Sequence, residues 1–157
     1  MIHLGLPIED CLDQLKQRLS ERNEVVLEAP PGAGKTTLVP LALLDEAWLS
    51  GKKILMLEPR RIATKSAAHR MASLINESPG QTVGYRMRLD TKVSKQTRIE
   101  VMTEGILTRM LQKDPSLKEV GLVIFDEFHE RNLDSDLALS LCLKGRTLFR
   151  DDQAPLK

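Results

Sequence analysis

Ala29-Pro30-Pro31-Gly32-Ala33-Gly34-Lys35-Thr36-Thr37, a short step after the apolar run Val25-Val26-Leu27, is the stretch on which the reading of this chain turns. Glycines at 32 and 34 let the main chain curl so that successive N–H groups converge on one point. The helix predicted to begin near Lys35 turns its positive dipole end toward the same point. That arrangement suits a phosphate. Pro31 to Thr37 (Pro31, Gly32, Ala33, Gly34, Lys35, Thr36 and Thr37) are therefore the expected phosphate-cradling residues. Lys35 supplies full positive charge to the β- and γ-phosphates of a nucleoside triphosphate, and the Thr36 hydroxyl ligates Mg²⁺. The general pattern has Gly at its first position, where this chain has Ala29. A Gly-rich turn capping an ordinary helix is the plainer alternative; a strand before and a helix after argue against it.

Gly121-Leu122-Val123-Ile124-Phe125 is a continuous apolar run, the mark of a strand buried on both faces of a parallel sheet. It ends in Asp126-Glu127, two carboxylates that are costly to bury unpaired. At the C-terminal edge of such a sheet they face the crevice where ligands bind. Asp126 is then placed to share the Mg²⁺ that Thr36 ligates. Glu127 is counted with Thr36 and Asp126 among the expected Mg²⁺ ligands and is the candidate for orienting or deprotonating an attacking water. Alone, the two acids read as a solvated strand end capping the next helix. The phosphate loop upstream displaces that reading.

The 157 residues suffice for one domain that buries about two-thirds of its unfolded surface. Lys and Arg number 23 against 22 Asp and Glu, a net charge of +1, so any nucleic-acid contact must come from local clusters. Cys11 and Cys142 have no C-x-x-C spacing and read as buried thiols of a reducing compartment. His3, His69 and His129 are too scattered to predict a metal site. The N-terminal residues lack a signal-peptide layout, and no apolar run approaches a membrane span. A soluble, cytoplasmic protein is the expectation.

Periodicity predicts helices over 8–22, 35–47, 60–76, 105–113 and 134–144, with a slight bend at Pro40. Strands are expected at 24–28, 53–57, 82–88, 98–103 and 121–127, with 90–96 a polar connection. Alternation of this kind means an α/β fold, a parallel sheet flanked by helices and joined by right-handed crossovers. Residues 150–157 read as a polar connection that stops short of a next strand, so a single lobe over 1–157 is expected.

Four segments together resemble the first lobe of DEAH/RHA-type superfamily 2 ATP-dependent helicases, most closely the bacterial HrpB branch. Ala29–Thr37 is similar to helicase motif I and Glu58-Pro59-Arg60-Arg61-Ile62-Ala63 to motif Ia. Thr103-Glu104-Gly105-Ile106-Leu107-Thr108-Arg109 is similar to motif Ib, and Asp126-Glu127-Phe128-His129-Glu130-Arg131 to motif II. Most of the family has Ala where this chain has Phe128. The resemblance spans nearly the whole chain. It implies a P-loop NTPase (RecA-like) lobe that binds ATP with Mg²⁺, uses Lys35 and Glu127 in catalysis, and holds RNA or single-stranded DNA by its backbone. It also implies a second lobe in the parent protein, carrying the arginine fingers and half of the nucleic-acid track. Turnover by this lobe alone is then expected to be very slow.

Arg60 and Arg61, at a strand-to-helix junction, suit a phosphodiester; Thr103 and Gly105 open the next helix alike, with Arg109 one turn on. Such contacts read backbone, so sequence preference is low and salt weakens binding. Surface pairing of Arg60 and Arg61 with neighbours such as Glu58 is the rival reading. Arg86 and Arg88 read as solvated charge, and Glu130 with Arg131 as a local pair shaping the loop. For His129 the resemblance implies a coupling role between the γ-phosphate and the second lobe. Two rival functions are a small P-loop kinase, for which neither lid nor acceptor pocket is legible, and a non-catalytic nucleic-acid-binding module.

Overall fold

Each strand of this chain forms where it finds a neighbour to pair with. The structure is a computed structural model and describes residues 3–130, 132–150 and 154–157. In chain order the strands are β1 (Lys53–Leu57), β2 (Val83–Met87), β3 (Asp90–Lys92), β4 (Ile99–Met102) and β5 (Val120–Phe125). They form one sheet in the order β3-β2-β4-β1-β5. β1 runs parallel to β4 and β5, and β2 parallel to β4, while β3 is antiparallel to β2. The helices are α1 (Leu12–Glu21), α2 (Lys35–Leu43), α3 (Arg61–Leu74), α4 (Glu104–Lys113) and α5 (Leu133–Phe149), with a 3₁₀ turn at Pro7–Cys11 before α1.

Side chains that alternate along a strand separate into two cores. Ile54 and Met56 of β1, with Ile99 and Val101 of β4, meet α1, α2 and α3 on one face. Leu55, Leu57 and Met102 point the other way and pack with Leu107, Leu111, Ala138 and Cys142 of α4 and α5. The small residues Ala67, Ala68 and Ala72 let α3 lie close to the sheet. Where no helix covers the second face, charge does. Glu100 of β4 is 1% exposed and accepts from Lys53 Nζ at 2.7 Å and Arg86 Nε at 2.5 Å. Arg86, expected to be solvated charge, is therefore half of a roof over a buried carboxylate.

Two expectations fail, both for want of local signal. Residues 24–28 form no strand: Val26 is 92% exposed, and the run has no ladder partner. The place beside β5 is taken by Lys157, whose N–H donates to Gly121 O at 3.1 Å and whose carbonyl accepts from Val123 N–H at 2.9 Å. Lys157 Nζ in turn donates to Arg22 O at 3.0 Å, so the run begins one position outward from the sheet. Residues 90–96, read as a connection, open with β3. Met87 pairs with Asp90 across the two-residue turn Arg88-Leu89, and Leu89 has φ 66°. Gly84 makes the hairpin feasible, because a Cβ there would stand 2.3 Å from the Lys92 carbonyl oxygen.

Smaller differences lie at element ends. α2 stops at Leu43, β5 stops at Phe125, and α5 runs on to Phe149. Of the C-terminal connection, residues 151–153 lie outside the described residues, while Leu156 is buried in the second core. The two thiols differ. Cys142 is buried and its thiol is pushed up to about 12 by desolvation; Cys11 is partly exposed, with Sγ 3.2 Å from Ile8 O. Among the described residues no helix is long and apolar enough to cross a membrane.

Candidate functional site

Parallel pairing brings the ends of three strands level. Leu57 pairs with Met102 on one side and Phe125 on the other, so Glu58, Thr103 and Asp126 leave the sheet side by side. Hydrogen bonds carry the register one residue further. Glu58 N–H donates to Met102 O at 3.0 Å, and Asp126 N–H donates to Leu57 O at 3.1 Å.

The Gly-rich loop meets this row. Gly32 and Gly34 have φ of 77° and 96°, a region favoured by glycine, and Gly34 caps α2. The Gly34 carbonyl accepts from Thr37 N–H at 3.2 Å and Leu38 N–H at 2.9 Å. Pro31 and Gly32 form the exposed tip, while Ala33 is buried. A brace that the sequence did not suggest holds the loop from behind. Ile8 N–H donates to Ala33 O at 3.1 Å, and a Cβ on Gly34 would come within 2.8 Å of Leu6 Cδ1. Glu9 fixes that brace by accepting from Leu4 and Leu6 N–H at 2.8 and 2.9 Å; these bonds, Leu6 foremost, hold its carboxyl below the usual range.

Lys35 Nζ donates to Ala29 O at 2.5 Å, across the mouth of the loop. Thr36 Oγ1 donates to Asp126 Oδ2 at 2.5 Å, joining groups ninety residues apart in sequence. The other oxygen of Asp126 accepts from Glu127 N–H at 2.9 Å. Glu127 has φ 52°, and its Oε2 lies 3.3 Å from His129 Nε2, so its carboxylate is turned toward the histidine. A cavity of about 510 Å³ opens beside these groups, lined by Thr36, Thr37, Asp126 and Glu127 on one side and by Arg60, Ser66 and Arg70 on the other.

Sequence reasoning missed Glu58 as a member of the site. It is 3% exposed and lines the cavity, and its Oε1 has no hydrogen-bond partner. Burial first, then hydrogen bonding and charge from Asp126, pushes its carboxyl up to about 9, so it is neutral at pH 7. The motif showed its position but not its burial, which the strand register decides. Arg70, two turns into α3, carried no motif signal either.

The basic residues are only partly gathered. Arg60 pairs with the Glu130 carboxylate, not with Glu58. Glu130 thus reaches across the site; its expected pairing with Arg131 falls on a residue outside the described ones. Arg61 Nη1 donates to the Arg88 backbone carbonyl at 3.0 Å, so the β2–β3 turn lies at the same edge, with Arg88 exposed as expected of solvated charge. Thr103 precedes α4 and its carbonyl accepts from Ile106 N–H at 3.0 Å. Gly105 and Arg109 are exposed one turn apart on that helix. Among the described residues no three His, Cys, Asp or Glu side chains form a metal cluster. The donor set Thr36 and Asp126 fits Mg²⁺ held largely by phosphate oxygens and water, which needs only one or two protein ligands.

Comparison with known proteins agrees with this geometry. The chain is 54% identical over 148 residues to the ATP-dependent RNA helicase HrpB of Escherichia coli strain K12, covering 94% of this chain and 18% of that protein. It is 40% identical over 147 residues to the ATP-dependent RNA helicase HrpA of Borreliella burgdorferi, with 94% and 18% covered. The crystal structure of the E. coli DEAH/RHA helicase HrpB matches it with a TM-score of 0.90 at 52% identity, over 95% of this chain and 19% of that one. The chain spans about a fifth of the length of these relatives. Its α/β fold is that of a helicase RecA-like lobe. The DEAD/DEAH box helicase pattern runs from residue 10 to residue 139, and the chain belongs to that family.

Proposed function

We propose that this chain is the ATP-binding lobe of an ATP-dependent RNA helicase, in which it holds Mg-ATP against the phosphate loop and the backbone of a single strand along the neighbouring edge. The contact between Thr36 and Asp126 carries the reading. A hydroxyl at the start of a loop-capped helix and a carboxylate at a strand end stand 2.5 Å apart, two oxygen donors that would together hold Mg²⁺. Bound there, Mg²⁺ neutralises charge on the β- and γ-phosphates.

The other steps belong to the chain's own groups. Amides from Gly32 to Lys35 hold phosphate oxygens at the positive end of α2. Lys35 exchanges the Ala29 carbonyl for the β- and γ-phosphates. Glu127, which lines the cavity, gives up His129, orients the attacking water and accepts its proton. Glu58, neutral and buried behind Asp126, leaves the Asp126 charge for the metal. Arg60, Arg61, Arg88 and the opening of α4 at Thr103 and Gly105 hold strand phosphates, with Arg109 beyond them. A second lobe completes the reaction by bringing arginine to the γ-phosphate, a contribution worth about 10³–10⁵ in rate in related enzymes. RNA is favoured because the similar curated proteins are RNA helicases.

Titration of Mg-ATP into the wild-type chain and Lys35→Ala tests this reading. Loss of a charged hydrogen-bond donor weakens affinity by about 10- to 100-fold. Equal affinities overturn it.

A further inference from the structure

Arg60 faces two ways. It lines the cavity shared by Asp126 and Glu127, and its guanidinium pairs with the carboxylate of Glu130. Its neighbour Arg61 stands on the outer edge beside Arg88. The pair is open to solvent, with Arg60 71% and Glu130 34% exposed, and exposed pairs hold weakly enough to be given up. A phosphodiester offers the guanidinium a bidentate, charge-assisted partner in place of the carboxylate. Two anions on one cation repel each other, so the carboxylate and the phosphate compete.

We propose that Arg60 exchanges partners, holding Glu130 while the edge is empty and a nucleic-acid phosphate when it is filled, and that this exchange releases Glu127 toward the nucleotide. The proposal rests on the functional reading above. The path is short. Glu130 N–H donates to Glu127 O at 3.0 Å, closing the turn Phe128–Glu130. Glu127 sits in left-handed backbone with φ 52°, a conformation that persists in a non-glycine residue only while its surroundings hold it. Glu130, anchored by Arg60, is part of those surroundings. With the anchor in place the Glu127 carboxylate stays on His129. Once the anchor leaves, the turn relaxes and the carboxylate of Glu127, which already lines the cavity, is free to leave His129 for the nucleotide. The contact is a brake on hydrolysis that a bound strand lifts.

The test uses the full-length protein, a fluorescent single-stranded RNA oligonucleotide and ATP hydrolysis with and without it. Glu130→Gln removes the competing charge and keeps the shape. It should bind RNA about 2- to 5-fold more tightly, the range of an exposed pair no longer displaced, and hydrolyse ATP faster without RNA. In an Arg60→Ala background the same substitution should leave RNA affinity where Arg60→Ala alone puts it. That background separates exchange at Arg60 from the general effect of deleting a negative charge. Glu130→Gln that binds RNA no more tightly than wild type, or a gain that survives Arg60→Ala, overturns the exchange. Arg61→Ala reports on the functional reading separately. If it weakens RNA binding while Glu130→Gln does nothing, the exchange falls and the nucleic-acid edge stands; if neither substitution matters, both fall.

Discussion

Residues 53–57 and 24–28 are five-residue segments built on short apolar runs, each leading to a motif at the site, yet they end in opposite states. β1 has β4 on one side and β5 on the other, and four of its five residues are buried. The run at 24–28 has no neighbour in the sheet, and Val26 stands almost wholly in solvent. β-branched composition makes a segment willing to be a strand, but the adjacent ladder decides whether it becomes one. The phosphate loop therefore takes its shape from glycine backbone and the Leu6–Ile8 brace, while the acid pair takes its place from the sheet.

The largest effect should follow from breaking the paired side. Leu55→Ala, at a fully buried position of β1, should cost about 2–5 kcal/mol in urea unfolding; a much smaller cost would mean the second core is loosely packed. Gly34→Ala attacks the other support. It forces a side chain into φ 96° and against Leu6, and should cost about 1–3 kcal/mol together with most of the nucleotide affinity, read by urea unfolding and ATP titration.

Glu58→Gln sharpens the comparison through pH. The folded chain holds the Glu58 proton up to about pH 9, whereas the unfolded chain releases it near the ordinary 4.5. The stability this group contributes is full below about 4.5 and is lost as pH rises through about 9. Glutamine cannot ionise, so the Tm of the variant relative to wild type should climb with pH across that window. Calorimetry at pH 5, 7 and 9 checks this, and a constant difference would show that Glu58 is ionised in the fold. Val26→Ser should be the mildest change, within about 0.5 kcal/mol of wild type in urea. A larger loss would place the run in a ladder after all.

What could be read from sequence divides along the same line. The phosphate loop, the Asp126-Glu127 pair, β1, β4 and β5 were legible because each has a local signature: glycines before a lysine, or an apolar run closed by a polar stop. The loose run at 24–28 was misread because pairing is decided by residues far away in the chain. β3 was overlooked because Asp90-Thr91-Lys92 is polar, as an edge strand tends to be. The Thr36–Asp126 contact followed from the motifs, but the burial of Glu58 and the reach of Arg60 to Glu130 depend on strand register, which no spacing reveals.

The contrast between the two thiols has a practical consequence. Cys142, sealed among aliphatic side chains and hard to ionise, should ignore maleimide reagents at neutral pH, whereas Cys11 is reachable. A fluorophore coupled to these 157 residues thus acquires one address, three residues from the amide that clasps Ala33, and its emission becomes a reporter of whether the pocket behind that clasp has filled.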